Sequence, residues 1–456
     1  DIIMAETKYL ISKCSLMPTE GSTKEPYDLV RGIAAIDYYE GVENPTIALV
    51  VTFIDVDQVI GREGVTGGEY YIDVTVKDGD EDEFKIESKK HKLILNSVKN
   101  MTTESNKQVA TLEFVSVEAI TNETSRLNKK FTGNVSQTVL DILTEDEKGI
   151  KTKKKVFGPK KEDEVEEDRA TNSYSFVGNL RRPFDTIQWL CPKSQSSKES
   201  FGFLFYETLD GFHFRSIEQL LKQEAVPYQQ SDRPIEGNKI LENNLNESND
   251  IGMNLRQGMY ANRTLYIDIE NHTFQEVNFD VTQLKLKKPL KLLDGIEKHP
   301  SRLMFRVNDF GVAQVGAAKS EVQPESELAV YQNKSYIRNN LLFSQSLSIS
   351  IPLNTTLRAG LMVEVKFPIK KEEGNEGAET YGSDKTNDAS GKYLISNLRH
   401  LVGGGMGETQ LELIRDVFTP SKGQVTNSGE VIQTDNRKVY ERNRDRQRRL
   451  RSSQFK

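Results

Sequence analysis

Five histidines are the side chains in this 456-residue sequence best suited to hold a metal or to transfer protons. They are scattered along the chain, at His91, His213, His272, His299 and His400. A helical metal site needs two ligands three or four residues apart, and no two of these histidines have that spacing. The two cysteines, Cys14 and Cys191, are too few for a disulfide framework or a cysteine-rich zinc site. We therefore expect no metal and no cofactor, with a structural role for each histidine.

The glycine-rich run at 403–407 is the segment closest in composition to a phosphate-binding loop. It lacks the G-x-G-x-x-G spacing and the strand-to-helix context, so a hairpin turn is the better interpretation. The sequence contains neither a G-x-S-x-G elbow nor a Walker lysine. Its 68 acidic residues would allow a glycosidase pair, but nothing singles out two of them. We predict that the chain is not an enzyme and has no catalytic residue.

The charge balance limits the partners of the chain. The net charge is −7 and the isoelectric point is near 5.6, whereas proteins that bind nucleic acid usually carry a basic surplus. We therefore expect no stable binding of DNA or RNA by the body of the chain. The arginine-rich stretch at 437–451 is the exception, and it is either a solvated tail or a docking segment for DNA or an acidic partner. No apolar run approaches the roughly 18 residues that a membrane span needs.

Alternating apolar residues predict sheets at both ends of the chain. Residues 26–120 contain Ile72, Val74 and Val76 on one face of a strand, and residues 341–416 repeat the pattern around Leu347 and Val363. Between these regions the sequence predicts a short helix at 134–143 and a solvated charged linker at 151–169.

The middle of the chain predicts a helix, a hairpin and a second helix. Pro183 suits the first turn of a helix, and the Asp210–Gly211 turn joins two apolar strands. Ser216 and Gln219 have the spacing of a capping box at the start of the next helix. The fold class is therefore mainly β with α+β insertions.

Two segments resemble each other where the two β regions close. Residues 92–99 match residues 392–399 class for class at eight positions, and 111–115 match 410–414 after a similar interval. Amphipathic hairpins can converge on such a pattern by chance. The alternative is two copies of one small barrel, which would let three chains present six similar units around an axis.

Several runs resemble the central hub subunit of T-even-like myovirus baseplates, particularly the cyanophage branch. The likeness lies in SFVGNLRRPFDTIQWLCPKS at 175–194, GFLFYETLDGFHFRSI at 202–217, NLRQGMYAN at 254–262 and SGKYLISNLRH at 390–400 with LELIRD at 411–416. It covers roughly residues 26–418. The charged linker, a polar insertion at 370–390 and the arginine-rich tail do not match it.

The resemblance implies two tube-like β-barrels in each chain and a homotrimer. Its partners would be a cell-puncturing spike, tail tube or tube-initiator rings and other baseplate proteins, with genomic DNA in transient passage. The expected location is the virion tail baseplate, assembled in the host cytoplasm. Two alternatives stay open, a tail-tip cell-wall hydrolase and the hub portion of a non-viral contractile injection system.

These observations divide the chain into six parts. They are an N-terminal arm (1–25), a first tube-like barrel (26–130), a helix with the charged linker (131–174), an α+β middle region (175–340), a second tube-like barrel (341–419) and a polar, basic tail (420–456).

Overall fold

The computed structural model describes residues 9–56, 58–62, 64–78, 81–104, 107–145, 147–159, 169–196, 201–230, 238–248, 250–268, 272–283, 293–307, 325–367 and 389–416. The insertion predicted at 370–390 therefore lies almost wholly outside the described residues. The arginine-rich tail and the acidic half of the charged linker lie outside them as well.

Strands dominate the described residues, as the sequence predicts. The strands are β1 (Tyr9–Pro18), β2 (Tyr27–Asp28), β3 (Ile33–Gly41), β4 (Ala48–Asp55), β5 (Tyr70–Asp78), β6 (Glu81–Ile86), β7 (Leu93–Glu104), β8 (Lys107–Ser116), β9 (Lys130–Phe131), β10 (Lys155–Phe157), β11 (Phe176–Val177), β12 (Phe203–Thr208), β13 (Gly211–Ser216), β14 (Val226–Gln229), β15 (Glu242–Ser248), β16 (Ala261–Asp268), β17 (Thr273–Asp280), β18 (Arg302–Val307), β19 (Gln345–Pro352), β20 (Met362–Lys366), β21 (Gly391–Gly403) and β22 (Met406–Arg415). The α-helices are α1 (Val59–Arg62), α2 (Val117–Thr124), α3 (Val135–Thr144), α4 (Pro183–Leu190), α5 (Ile217–Leu221), α6 (Ile251–Gln257) and α7 (Glu325–Leu342).

One 14-stranded sheet contains most strands from both ends of the chain. Its main path runs β15-β19-β22-β21-β3-β4-β8-β7-β5-β1-β2, with β20 beside β21, β14 beside β20, and β6 beside β5. The expected pair of closed barrels is not seen, because the pairings among the described residues form an open path that joins the two β regions. Strand β1 belongs to this sheet through its antiparallel pairing with β5, although it falls within the predicted N-terminal arm. The six-part division of the chain stays a prediction.

The apolar faces of both β regions share one core. Alternation places Ile72, Val74 and Val76 of β5 inside, together with Leu347 and Val363 from the second region. Because side chains alternate between faces along a strand, the opposite face of β5 is available for polar residues such as Asp73. The continuous core explains why the two regions form one sheet.

The middle region forms as the sequence predicts, in the order α4, β12, β13, α5.

Asn134 caps α3 by accepting a hydrogen bond from the N–H of Gln137. Ser216 caps α5 in the same way, but the Gln219 side-chain oxygen has no partner, so the predicted capping box is only half formed.

The prediction of a solvated linker is wrong for residues 155–157 and for Lys154. Residues 155–157 form β10, which pairs in parallel with β13, and the side chain of Lys154 is largely buried beside two carboxylates. The negative charges of these carboxylates stabilise the buried lysine. The run of lysines in the sequence does not reveal that this one is buried.

None of the helices in the described part of the chain has the length and apolar character that a membrane crossing requires.

Candidate functional site

The predicted repeat is present as two hairpins with the same strand register. In the hairpin of β7 and β8, Val98 lies opposite Leu112. In the hairpin of β21 and β22, Leu398 lies opposite Leu411. These are the residues that the sequence comparison aligned, so the aligned segments have equivalent pairings.

An equivalent irregularity occurs in both hairpins. The register shifts between Leu95 and Ser97 in one hairpin, and between Ile395 and Asn397 in the other. After each shift a polar side chain donates a hydrogen bond to a glutamate on the partner strand. Ser97 Oγ donates to Glu113 at 2.8 Å and Asn397 Nδ2 donates to Glu412 at 2.6 Å. A bulge tends to be kept within a family, so a shared bulge position argues against chance convergence.

The equivalence extends to the strands on either side. In the first repeat the neighbouring strands follow the order β3-β4-β8. In the second repeat the equivalent order is β15-β19-β22. Tyr71 of β5 pairs with Ile94 as Met362 of β20 pairs with Leu394. The likeness ends at the next strand, because β1 is antiparallel to β5 whereas β14 is parallel to β20.

The two repeats meet along β3 and β21, which we call the internal seam. These strands pair antiparallel from Asn397 opposite Gly41 to Gly403 opposite Ala35. Arg399 Nε donates a hydrogen bond to Asp37 Oδ1 across this seam at 2.8 Å. The glycine-rich run is a hairpin turn, as predicted, with Gly404 and Gly405 both at positive φ between β21 and β22. The seam therefore joins the repeats through backbone pairing and an ion pair.

His400 is a buried structural residue of the seam. Its ring stacks on Tyr38 with 5.9 Å between the ring centroids, and its Nδ1 lies 2.9 Å from Thr409 Oγ1. Burial, together with the charge of Arg358, lowers the pKa of His400 to about 3. The imidazole is consequently neutral at physiological pH and contributes packing to the seam.

A buried glutamate joins the first repeat to two other segments. Glu40 accepts hydrogen bonds from the Tyr38 hydroxyl at 2.7 Å and from the backbone N–H groups of Leu209 and Ala359 at 2.8 and 2.9 Å. Arg358 Nε lies 3.7 Å from the same carboxylate. Burial raises the pKa of Glu40, while Arg358 and the hydrogen bonds act against that rise. This carboxylate holds β3, the β12–β13 turn and the segment between β19 and β20 together.

A second buried carboxylate joins the sheet to the middle region. Glu207 Oε1 lies 2.6 Å from Lys154 Nζ, and Glu207 Oε2 accepts a hydrogen bond from the N–H of Ile47 at 3.1 Å. Lys154 also lies 2.8 Å from Glu118. Burial raises the pKa of Glu207. Burial also acts to lower the pKa of Lys154, but the two negative charges outweigh it and raise the pKa.

The positions of these carboxylates do not fit hydrolysis. A glycosidase places two carboxyl groups on either side of an open cleft, whereas Glu40 and Glu207 are buried and bonded to backbone N–H groups. The described residues also line a cleft of about 280 Å³, formed by Trp189, Pro192, Lys193, Arg306, Val307 and Gln332. That lining contains no carboxylate, histidine or cysteine, so it offers neither an acid–base pair nor a thiol nucleophile.

The other four histidines lie on different segments of the chain. His91 is buried and accepts a hydrogen bond from the N–H of Glu87. His213 lies between the rings of Phe157 and Tyr206. His272 and His299 are exposed. In the parts of the chain that the structure describes, no group of three or more His, Cys, Asp and Glu side chains could hold a metal ion.

The structure shares its fold with a solved tail protein. No protein family and no curated protein matches the sequence. The structure is similar to the tail protein from Neisseria meningitidis MC58, with a TM-score of 0.50, 10% identity and coverage of 90% of this chain and 98% of that one.

Two further solved structures have lower TM-scores. The 43 kDa tail protein of prophage MuSo2 from Shewanella oneidensis has a TM-score of 0.48 at 9% identity, covering 90% of this chain and 100% of that one. An Escherichia coli component of the type VI secretion system has a TM-score of 0.41 at 10% identity, covering 90% of this chain and 79% of that one. At a TM-score of 0.50 and 10% identity, the likeness to the Neisseria protein shows a shared fold.

Proposed function

We propose that this chain is the structural central hub of a contractile phage tail baseplate. In this role three copies form a ring that adapts a three-fold spike to the six-fold tail tube. The observation that carries the proposal is the repeat, in which both hairpins share one register and one bulge position. Two similar units in each chain give six in a trimer, which is the property that a three-to-six adaptor requires.

The buried ion pairs support a rigid structural role. Glu40 and Glu207 tie the sheet to the middle region through contacts between segments far apart in sequence. Satisfied buried polar networks hold elements in one arrangement. A hub that carries a spike on one side and a tube on the other needs such fixed geometry between its parts.

The proposed partners follow from this role. They are two further copies of the chain, the spike, the tail tube or its initiator ring, and other baseplate proteins, with genomic DNA passing through the ring. The proposed location is the tail baseplate of the virion, after assembly in the host cytoplasm. Within the chain, the two repeats correspond to the two tube-like units, and the cyanophage branch is the proposed affiliation.

Two measurements test the proposal. Sedimentation of the purified chain, alone and with its spike, is expected to give a trimer, and reconstruction of a baseplate should place it on the tail axis between spike and tube. A chain that stays monomeric with the spike present would contradict the hub role. A peptidoglycan-clearing assay addresses the hydrolase alternative, and we expect no clearing by the pure chain. Clearing would favour the hydrolase.

A further inference from the structure

Two of the open strand edges in the part of the chain that the structure describes belong to the repeats, at β15 and at β7. β15 ends the large sheet and pairs only with β19. β7 pairs with β5 only at Ile94, and from Ser97 onward it pairs only with β8. β15 is exposed from Glu242 to Asn246, and Leu245 is 44% exposed. An open strand edge presents unpaired N–H and C=O groups and is a template for another strand.

The internal seam indicates what these edges bind. The seam joins β21 of the second repeat to β3 of the first. By register, the counterpart of β21 in the first repeat is β7, and the counterpart of β3 in the second repeat is β15. The two open edges are therefore the counterparts of the two strands that already pair with each other. A second copy of the chain can present β15 to β7 in the way that β3 is presented to β21.

Each open edge has one residue more than its counterpart at the seam. In β21 a single residue, His400, separates Arg399 from Leu401. In β7 two residues separate their counterparts Lys99 and Thr102, where the register with β8 shifts.

β15 has a matching insertion. Tyr38 and Tyr39 are adjacent in β3, but their counterparts Leu245 and Glu247 are separated by Asn246.

The two insertions lie at the same level of the ladder. At the seam, Arg399 is opposite Tyr39 and Leu401 is opposite Asp37. Transferring this register places Lys99 opposite Glu247 and Thr102 opposite Asn244. Two residues then lie between these pairs on each strand, so the ladder continues without a break. An insertion in one edge alone would have interrupted the pairing.

We propose that β7 of one copy pairs antiparallel with β15 of the next copy, with Lys99 opposite Glu247 and Thr102 opposite Asn244. This interface rests on the proposed trimeric hub and names the surfaces that close it. Three such contacts alternate with three internal seams around the ring, so the edges of β7 and β15 are paired in all three copies. The register also places a lysine opposite a glutamate, a favourable cross-strand combination.

Disulfide trapping in the full-length chain tests this register. One variant combines Lys99→Cys with Glu247→Cys, and a second combines Thr102→Cys with Asn244→Cys. Positions 99 and 102 are an odd number of residues apart, so one pair is of the closer, non-hydrogen-bonded type. The matched control combines Lys99→Cys with Asn243→Cys, which moves the second cysteine four residues, or about 13 Å, along the strand. A disulfide needs Cα atoms less than about 7 Å apart.

The in-register variants are expected to give disulfide-linked trimers on non-reducing gels, and the control is expected to give none above the wild-type background. Light scattering of the same samples separates this interface from the hub role. A trimer in solution without cross-linking of either in-register pair overturns the interface and leaves the hub proposal standing. Equal cross-linking of the control overturns the register, and a monomer under all conditions overturns both proposals. Circular dichroism matching that of the wild type shows that each variant is folded.

Discussion

Lys154 Nζ lies 2.6 Å from Glu207 Oε1, between two segments 53 residues apart in sequence. The Glu207 side chain has no exposed surface and that of Lys154 is 12% exposed. Removing the lysine would leave a buried carboxylate without its counter-charge, which typically costs 3–5 kcal/mol. We expect Lys154→Met to lower the free energy of unfolding by about that amount, as measured by urea denaturation.

Two further variants give the controls for this prediction. The double variant Lys154→Met with Glu207→Gln leaves Glu118 as the one carboxylate without its lysine and should recover part of the loss. Arg263→Met breaks an exposed ion pair with Glu276 and should cost less than about 1 kcal/mol. Equal losses for Lys154→Met and Arg263→Met would show that the buried pair does not hold the sheet to the middle region.

Local patterns in the sequence account for the hairpins and most of the middle region. The alternation in β5, the cap at Ser216 and the Asp210–Gly211 turn each involve residues close together in the chain, so short windows reveal them. The repeat was visible because two distant windows carry the same pattern. Its interpretation as two closed barrels was not supported, since pairing between β3 and β21 depends on contacts across more than 350 residues.

Other features had weak sequence signals. Helix α7 lies in a polar stretch without a clear apolar stripe, yet Arg338 within it is buried between Glu218 and Asp416. The parallel pairing of β14 with β20 joins strands far apart in sequence. Lys154 was indistinguishable from the neighbouring lysines, because the acids that bury it lie at positions 118 and 207. Partners of this kind are brought together only by the complete fold.

The buried histidine of the seam predicts a loss of stability in acid. His400 has a pKa of about 3 in the folded chain and an ordinary value of 6.5. Below pH 6.5 the unfolded chain therefore binds the proton that the folded chain excludes. The free energy of unfolding should fall by up to about 1.4 kcal/mol per pH unit from this group as pH decreases towards 3.

Substitution at His400 isolates this contribution. The variant His400→Asn is expected to be less stable than the wild type at pH 7, because it loses the stacking on Tyr38. Its stability should depend less steeply on pH between 6 and 4, as followed by urea denaturation at each pH. Identical slopes for the two proteins would contradict a neutral, buried His400.

The cysteines should be unreactive in the folded chain. Both Cys14 and Cys191 are buried, and burial raises the pKa of Cys14 to about 12. Because the thiolate is the reactive form, neither thiol should react with a thiol-specific reagent at pH 8 until the chain unfolds. Titration should give two thiols per chain in denaturant and none without it. Rapid reaction of a thiol in the native protein would contradict this burial.

A conduit for the genome should not retain DNA on its inner wall. Each lysine or arginine that neutralises a phosphate adds salt-dependent affinity, and several together would slow transit. The chain has 68 acidic and 61 basic residues, a balance compatible with a neutral or negative wall. We expect the trimer truncated after residue 419 to bind duplex DNA no more tightly than micromolar at physiological salt, as measured by fluorescence anisotropy across a salt series.

The full-length chain is the comparison, because it alone retains the arginine-rich stretch at 437–451. Any salt-sensitive binding confined to it would be assigned to that tail, which we expect to lie outside the channel. Tight, salt-sensitive binding by the truncated trimer would show a basic wall and contradict the conduit.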